Sequence, residues 1–145
     1  MFTKNKPLQK ILIFEGIDRS GKTTLRKRLL NYCPNQLTID RLFASNLVYD
    51  QFYKRVTTYD KFMDSIIEKL SESVIIIYVY CDFDTYAKRC VDSNHPILTK
   101  YMYDLQQKLY EEVLKKLHMP IVVSCSELDK KKQLNKLIKM LKLYE

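Results

Sequence analysis

Glycine is nearly missing from this chain. Two occur among 145 residues, Gly16 and Gly21, only five positions apart. Paired cysteine motifs are missing too. Cys33, Cys81, Cys90 and Cys125 are widely separated with no C-x-x-C, which argues against a zinc site and a secreted disulfide scaffold, and reads as reduced thiols in an intracellular setting. No long hydrophobic run is present. The longest, "VIIIYVY" from Val74 to Tyr80, is far too short to span a bilayer and suits a buried strand. Met1 to Lys10 lacks the apolar core of a signal peptide, so a cytoplasmic protein is expected. Internal repeats, low-complexity tracts and linkers are also absent.

What is present fits one domain, residues 1–145. The apolar fraction of 46% and charged fraction of 29% are those of a globular protein, not a disordered or collagenous one. Lysine and arginine exceed the acids, for a net charge of +8. A basic balance favours phosphate-rich partners, whether nucleotides or nucleic acid. A plainer reading stands beside it for the C-terminal "KKKQLNKLIKMLK", where lysines solvate a helix whose other face carries Leu134, Leu137, Ile138 and Leu141.

Hydrophobic periodicity alternates between the two regular structures. Lys10–Glu15 predicts a strand, Lys22–Tyr32 a helix bearing Leu25, Leu29 and Leu30, and Gln36–Asp40 a short second strand. Phe43, Leu47, Val48 and Phe52 mark one helix; Phe62, Met63, Ile66, Ile67 and Leu70 mark another. The Val74–Tyr80 strand follows, then a helical segment near Thr85–Cys90 and the polar break "DSNHP". A long helix is expected from Thr99 to Leu117, with Met102, Leu105, Leu109 and Val113 on its buried side. Tyr101 and Tyr110 are read as packing residues. Pro120–Ser124 is the last strand before the lysine-rich helix. Strands separated by helices imply an α/β fold with a parallel sheet covered on both faces. Ligands of such sheets sit at the carboxyl ends of the strands, here near Glu15, Asp40, Asp82 and Ser124.

The two glycines belong to "GIDRSGKT", Gly16 to Thr23, which satisfies G-x-x-x-x-G-K-[ST] between a strand and a helix. A loop that turns around a phosphate and aims successive backbone N–H groups inward needs positions without a Cβ. The residues Gly16, Ile17, Asp18, Arg19, Ser20, Gly21, Lys22, Thr23 and Thr24 would wrap the anion, with the positive end of the next helix facing it. Lys22 would reach the β- and γ-phosphates of ATP, and the Thr23 hydroxyl would ligate Mg²⁺.

The wider stretch "FEGIDRSGKTT" resembles the phosphate loop of thymidylate kinases, with its Phe-Glu-Gly-hydrophobic-Asp lead-in, to which Glu15 also conforms. The resemblance implies a P-loop NTPase three-layer sandwich around a small parallel sheet of about four strands. It casts Arg19 as the loop arginine that reaches the transferring phosphoryl group, in the version of the family whose lid needs fewer basic residues; "DSNHPILTK" carries no arginine. "DRLFASNLVY", Asp40 to Tyr49, is similar to the thymidylate kinase segment Asp-Arg-aromatic-x-x-Ser-x-x-Ala-Tyr-Gln, and deoxynucleoside kinases share the Asp-Arg pair. Asp40, Arg41, Ser45 and Tyr49 match in register, while Leu42, Val48 and Asp50 depart from it. On this match Arg41 and Lys22 are catalytic with Arg19 and Asp40. Asp18, Arg41, Ser45 and Tyr49 bind the acceptor, and Asp40 joins Thr23 at the magnesium. Arg41 would offer a fork of donors to an acceptor phosphate. Alternatively, Asp40 and Arg41 are a surface pair with Asp40 capping the next helix, and Asp18 is an ordinary turn residue.

"YVYCDFDTYAKR" resembles the family's entry to the lid, with Arg89 either on ATP or solvated. "VVSCSELD" resembles the loop bordering adenine, through Ser124 and Ser126. The resemblance breaks between the first helix and Asp40, where the family's strand ending in Arg-Glu-Pro-Gly, with its helices, has no counterpart. A more open acceptor pocket follows. The expectation is phosphoryl transfer from ATP to a (deoxy)nucleoside monophosphate, most simply thymidylate-like. A hydroxyl acceptor remains open, in a nucleoside or at a nucleic acid 5′ end; so does a nucleotide-binding module without transfer, although no guanine-reading N-K-x-D occurs. Thymidylate kinases are commonly homodimers, and the Phe43–Phe52 helix supplies an apolar face that either a partner or the chain itself would bury.

Overall fold

The computed structural model describes residues 2–54, 65, 68–117, 119–126 and 128–145. In chain order the elements are β1 (Ile11–Glu15), α1 (Lys22–Tyr32), β2 (Thr38–Asp40), α2 (Phe43–Phe52), β3 (Val74–Tyr80), α3 (Phe83–Asp92), α4 (Lys100–Leu117), β4 (Ile121–Cys125) and α5 (Lys130–Leu141), with a closing 3₁₀ turn at Lys142–Tyr144. The strands form one parallel sheet in the order β2-β1-β3-β4.

β3 explains why the core is so apolar. It lies between two strands and under helices on both faces, so it has no solvent side and needs no alternation. Val74, Ile76 and Tyr78 point to one layer, which they share with Ala44 and Val48 of α2, Tyr86 of α3, and Tyr103 and Tyr110 of α4. Ile75, Ile77 and Val79 point to the other, against Leu25 and Leu29 of α1 and Leu137 and Leu141 of α5. Each such side chain contributes about 1.5–3 kcal/mol on burial. The result is a three-layer sandwich. Among the described residues no helix is long and apolar enough to cross a membrane.

Several details differ from the sequence expectation. On α4 the buried stripe is Tyr103, Gln106, Tyr110, Val113, Leu114 and Leu117, whereas Met102 is 44% exposed and Tyr101 77%. The tyrosines win because both ring and hydroxyl find partners inside. Tyr110 stacks on Tyr78 with ring centres 5.9 Å apart, and the Tyr103 hydroxyl donates to the Cys81 carbonyl. β2 is shorter than expected, because Gln36 is spent on tying loops: its amide accepts from Leu8 N–H at 2.9 Å and donates to the Lys10 carbonyl at 2.8 Å. The apolar face of α2, with Ala44, Leu47 and Val48, is buried within the chain against α4. Of the helix expected over Phe62–Leu70, Phe62, Met63, Ile66 and Ile67 lie outside the described residues, while Leu70 packs on the core.

Candidate active site

The segments that follow the four strands line one cleft at the carboxyl end of the sheet, of about 640 Å³. The loop after β1 forms its floor. Gly16 has φ +145, and a Cβ there would stand 2.2 Å from the Val79 carbonyl oxygen of β3. Only glycine lets the loop pass the neighbouring strand so closely. Gly21 has φ +98 and opens α1 from the left-handed region. No side chain caps α1, and its first turn carries no acid. Its leading N–H groups therefore face the cleft unmet, a ready anion site.

Lys22 is the first residue of α1 and lines the same cleft, yet is 5% exposed. Its Nζ donates to the Ile17 carbonyl at 3.2 Å. Burial, helped by the charge of Arg41, pushes its ammonium down to about 8, against the pull of Asp40, Asp18 and Glu15. Arg19 takes φ 64 at the tip of the loop. Arg89 of α3 holds that tip, donating to the Arg19 carbonyl at 3.1 Å and to the Ser126 hydroxyl and carbonyl at 3.0 and 3.3 Å. Arg89 and Ser126 thus belong to the cleft, and the guanidinium is engaged rather than solvated.

Arg19 and Arg41 line the same cleft, with Thr23, Thr24 and Asp40. Arg41 follows β2 with φ 60. It forms an ion pair with Asp18 and stands over the Tyr49 ring, 5.7 Å from its centre. Burial alone would raise the Asp18 carboxyl, but the hydrogen bond and charge of Arg41 hold it below the ordinary range. The guanidinium is itself held above its ordinary value by Asp18, against burial. Asp40 is exposed at the cleft and caps nothing, since Leu42 holds the N-cap position of α2.

A second cleft, of about 340 Å³, lies beside the first. Asp18, Arg41 and His95 line both. Beyond that junction its walls are Ile17, Tyr49, Tyr53, Tyr86 and Leu98, with the 4% exposed amide of Gln106 among them. Sequence reading misses His95, which lies in a segment read as a polar break and as the lid, and Gln106, the one polar member of the α4 stripe. It also misses Asp92, Ser93, Lys130 and Gln133 of the large cleft, whose polarity alone does not separate them from surface residues.

Two residues expected at the acceptor and adenine are placed elsewhere. Ser45 is 2% exposed and lines neither cleft; its hydroxyl donates to Glu15 and meets the Tyr110 hydroxyl at 2.8 Å. Ser124 is buried beneath Gln133, whose amide donates to it at 3.0 Å. For magnesium, the Thr23 hydroxyl and Asp40 carboxylate are hard oxygen donors lining the same cleft, which fits a Mg²⁺ that keeps waters and phosphate oxygens in its shell. Among the described residues no cluster of His, Cys, Asp and Glu would enclose a metal by itself.

No protein-family model and no curated protein matches the chain. Solved structures do. The YorR protein of Bacillus subtilis, in complex with phosphorylated GDP, is similar at TM-score 0.71 and 18% identity over 92% of this chain and 96% of that one. Deoxyadenosine kinase of M. mycoides with bound dCTP gives 0.66 and 17% over 91% and 98%. Thymidylate kinase of Candida albicans gives 0.60 and 13% over 100% and 96%. At these identities the likeness is one of fold. The chain has the α/β architecture of the nucleotide kinases, a four-stranded parallel sheet flanked by helices.

Proposed function

We propose that the protein transfers the γ-phosphoryl group of ATP to a (deoxy)nucleoside monophosphate of the thymidylate kind. The observation that carries this reading is the meeting of the two clefts at Asp18, Arg41 and His95. One cleft has the glycine loop, the open helix end and Lys22. The other is walled by tyrosines, with a volume near the low end for small-ligand sites, fitting one nucleotide rather than a polymer. The bound nucleotides named for the similar structures, phosphorylated GDP and dCTP, agree with a nucleotide-binding cleft of this kind.

In the proposed reaction an oxygen of the acceptor phosphate attacks the γ-phosphorus, the bond to the β-phosphate oxygen breaks, and ADP leaves. An acceptor phosphate at neutral pH is already anionic, so no strong base is required and catalysis is positioning and charge neutralisation. The α1 amide groups and Lys22 hold the donor phosphates. Arg19 meets charge on the migrating group, and Arg41, fixed by Asp18 and the Tyr49 ring, holds the acceptor. Magnesium bound through Thr23 and Asp40 would neutralise charge on the donor phosphates.

The test is a labelled-ATP panel of nucleosides, monophosphates and 5′-hydroxyl oligonucleotides. Transfer to a pyrimidine deoxynucleoside monophosphate is expected. Transfer only to hydroxyl acceptors, or tight ADP binding with no transfer at all, would overturn the reading. With the accepted substrate, Arg19→Ala is expected to lower kcat with little change in ATP affinity, and Arg41→Ala to raise the acceptor KM.

A further inference from the structure

Among the described residues Glu15 is the one acid that is wholly buried, at 0% exposure. It closes β1, directly before the glycine loop, yet its carboxyl turns toward a different element. One oxygen accepts from the Leu42 N–H at 2.9 Å, and the other accepts from the Ser45 hydroxyl. Leu42 and Ser45 are the N-cap and third residues of α2, and α2 has no cap of its own. A carboxylate from 27 positions earlier in the chain thus meets the N-cap N–H, as the acid of a capping box does locally.

The turn it holds is the one that carries Arg41. Arg41 lies at φ 60, a region that residues with a Cβ resist. Such a conformation persists only where its surroundings fix it. The backbone is pinned on both sides of the strained residue: Arg41 N–H donates to the Phe14 carbonyl at 2.9 Å, and the next N–H, that of Leu42, donates to Glu15. From Ser45 the network continues to the Tyr110 hydroxyl, and from there to Tyr49 in the wall of the second cleft. Desolvation makes burying this carboxyl costly, and the contacts it makes are to the Arg41 turn and α2.

We propose that Glu15 is a positioning residue: it fastens the Asp40–Leu42 turn and the start of α2 onto β1, and so presents the Arg41 guanidinium at the junction of the two clefts. The proposal rests on the kinase reading for its kinetic consequences, though not for its geometry. Glu15→Ala removes both acceptors. Glu15→Gln keeps an oxygen for Leu42 and can donate to Ser45. Ser45→Ala cuts one tether only.

Three measurements separate the outcomes: steady-state kinetics for the acceptor KM and kcat, calorimetry for the ADP dissociation constant, and the Arg41 side-chain ¹⁵N resonance, assigned by its loss in Arg41→Lys. Glu15→Ala is expected to raise the acceptor KM about 30-fold, shift the Arg41 signal toward that of a solvated arginine, and change the ADP constant by less than about twofold. Glu15→Gln should recover most of the loss, and Ser45→Ala should fall between. If ADP binding weakens as much as acceptor binding, Glu15 serves the glycine loop and the proposal fails. It fails equally if the Arg41 signal and acceptor KM stay at wild-type values. If the wild type phosphorylates no acceptor, the kinase reading is lost and the Arg41 resonance alone decides this one. Should Glu15→Ala not fold, Ser45→Ala and Glu15→Gln decide it by the same measurements.

Discussion

Four helices begin where a strand has just ended at the carboxyl edge of the sheet: two are closed by their own sequence, and α2 has Glu15 at its start. Asp82 accepts from Thr85 N–H to cap α3, and Asp129 accepts from the N–H groups of Lys131 and Lys132 to cap α5. α1 has no such residue: Gly21 occupies its cap position and its first turn holds Lys22 instead of an acid. A glycine in that place forgoes roughly 0.3 kcal/mol that a serine or aspartate would supply. The difference teaches where a ligand belongs: of these four helix starts, α1 is the one with neither a capping side chain nor a carboxyl brought from elsewhere, and it lines the large cleft.

The comparison breaks most severely at Gly16. Gly16→Ala would drive a Cβ into the Val79 carbonyl, so a stability loss of about 3 kcal/mol or more is expected together with loss of ADP binding, by thermal unfolding and calorimetry. Lys22→Met should leave a folded protein whose transfer rate falls about 10³-fold; a rate within tenfold of wild type would show the open helix end acting alone.

The titration of Lys22 sharpens the contrast further. Its ammonium, at about 8 against an ordinary 10.5, binds fewer protons in the folded chain than in the unfolded one between those values. Ligand-free stability should therefore gain a contribution as pH rises through that window, absent in Lys22→Met. Phosphate favours the charged form, so ADP should bind with proton uptake near pH 8 and more weakly above it. Calorimetry in buffers of different ionisation heat checks the sign. The smallest effect is expected at a closed helix end. Asp129→Ala should cost about 1 kcal/mol of stability and leave ADP affinity within about twofold.

The donor half was legible in the sequence because its chemistry is contiguous. Strand, glycines, lysine and helix follow one another, and the backbone conformation they require excludes most alternatives. α1 and β3 were placed to the residue for the same reason. The acceptor half is assembled from distant segments, and there the reading thinned. Ser45 matched a pattern by position, but its burial under Glu15 is a tertiary fact. On α4 Leu109 and Val113 face the core as expected, but Tyr103 and Gln106 are buried where Met102 and Leu105 are expected, because tyrosine looks amphipathic until its hydroxyl has a buried acceptor, as Tyr103 has in Cys81. That slip concealed Gln106, which breaks an apolar stripe only when the stripe is correctly registered. His95 carries no periodicity at all and is recognisable only from the two clefts it borders.

β2 is three residues long and outermost in the sheet, and among the described residues its far side has no neighbour. This margin is therefore the place where the architecture can grow. Another strand could be added there with its own loop leaning over the Asp40–Arg41 turn, while β1, β3 and the glycine loop keep every pairing they now have. Enlarging or narrowing the recipient's side is thus a separable engineering problem, one that leaves the nucleotide-holding half untouched.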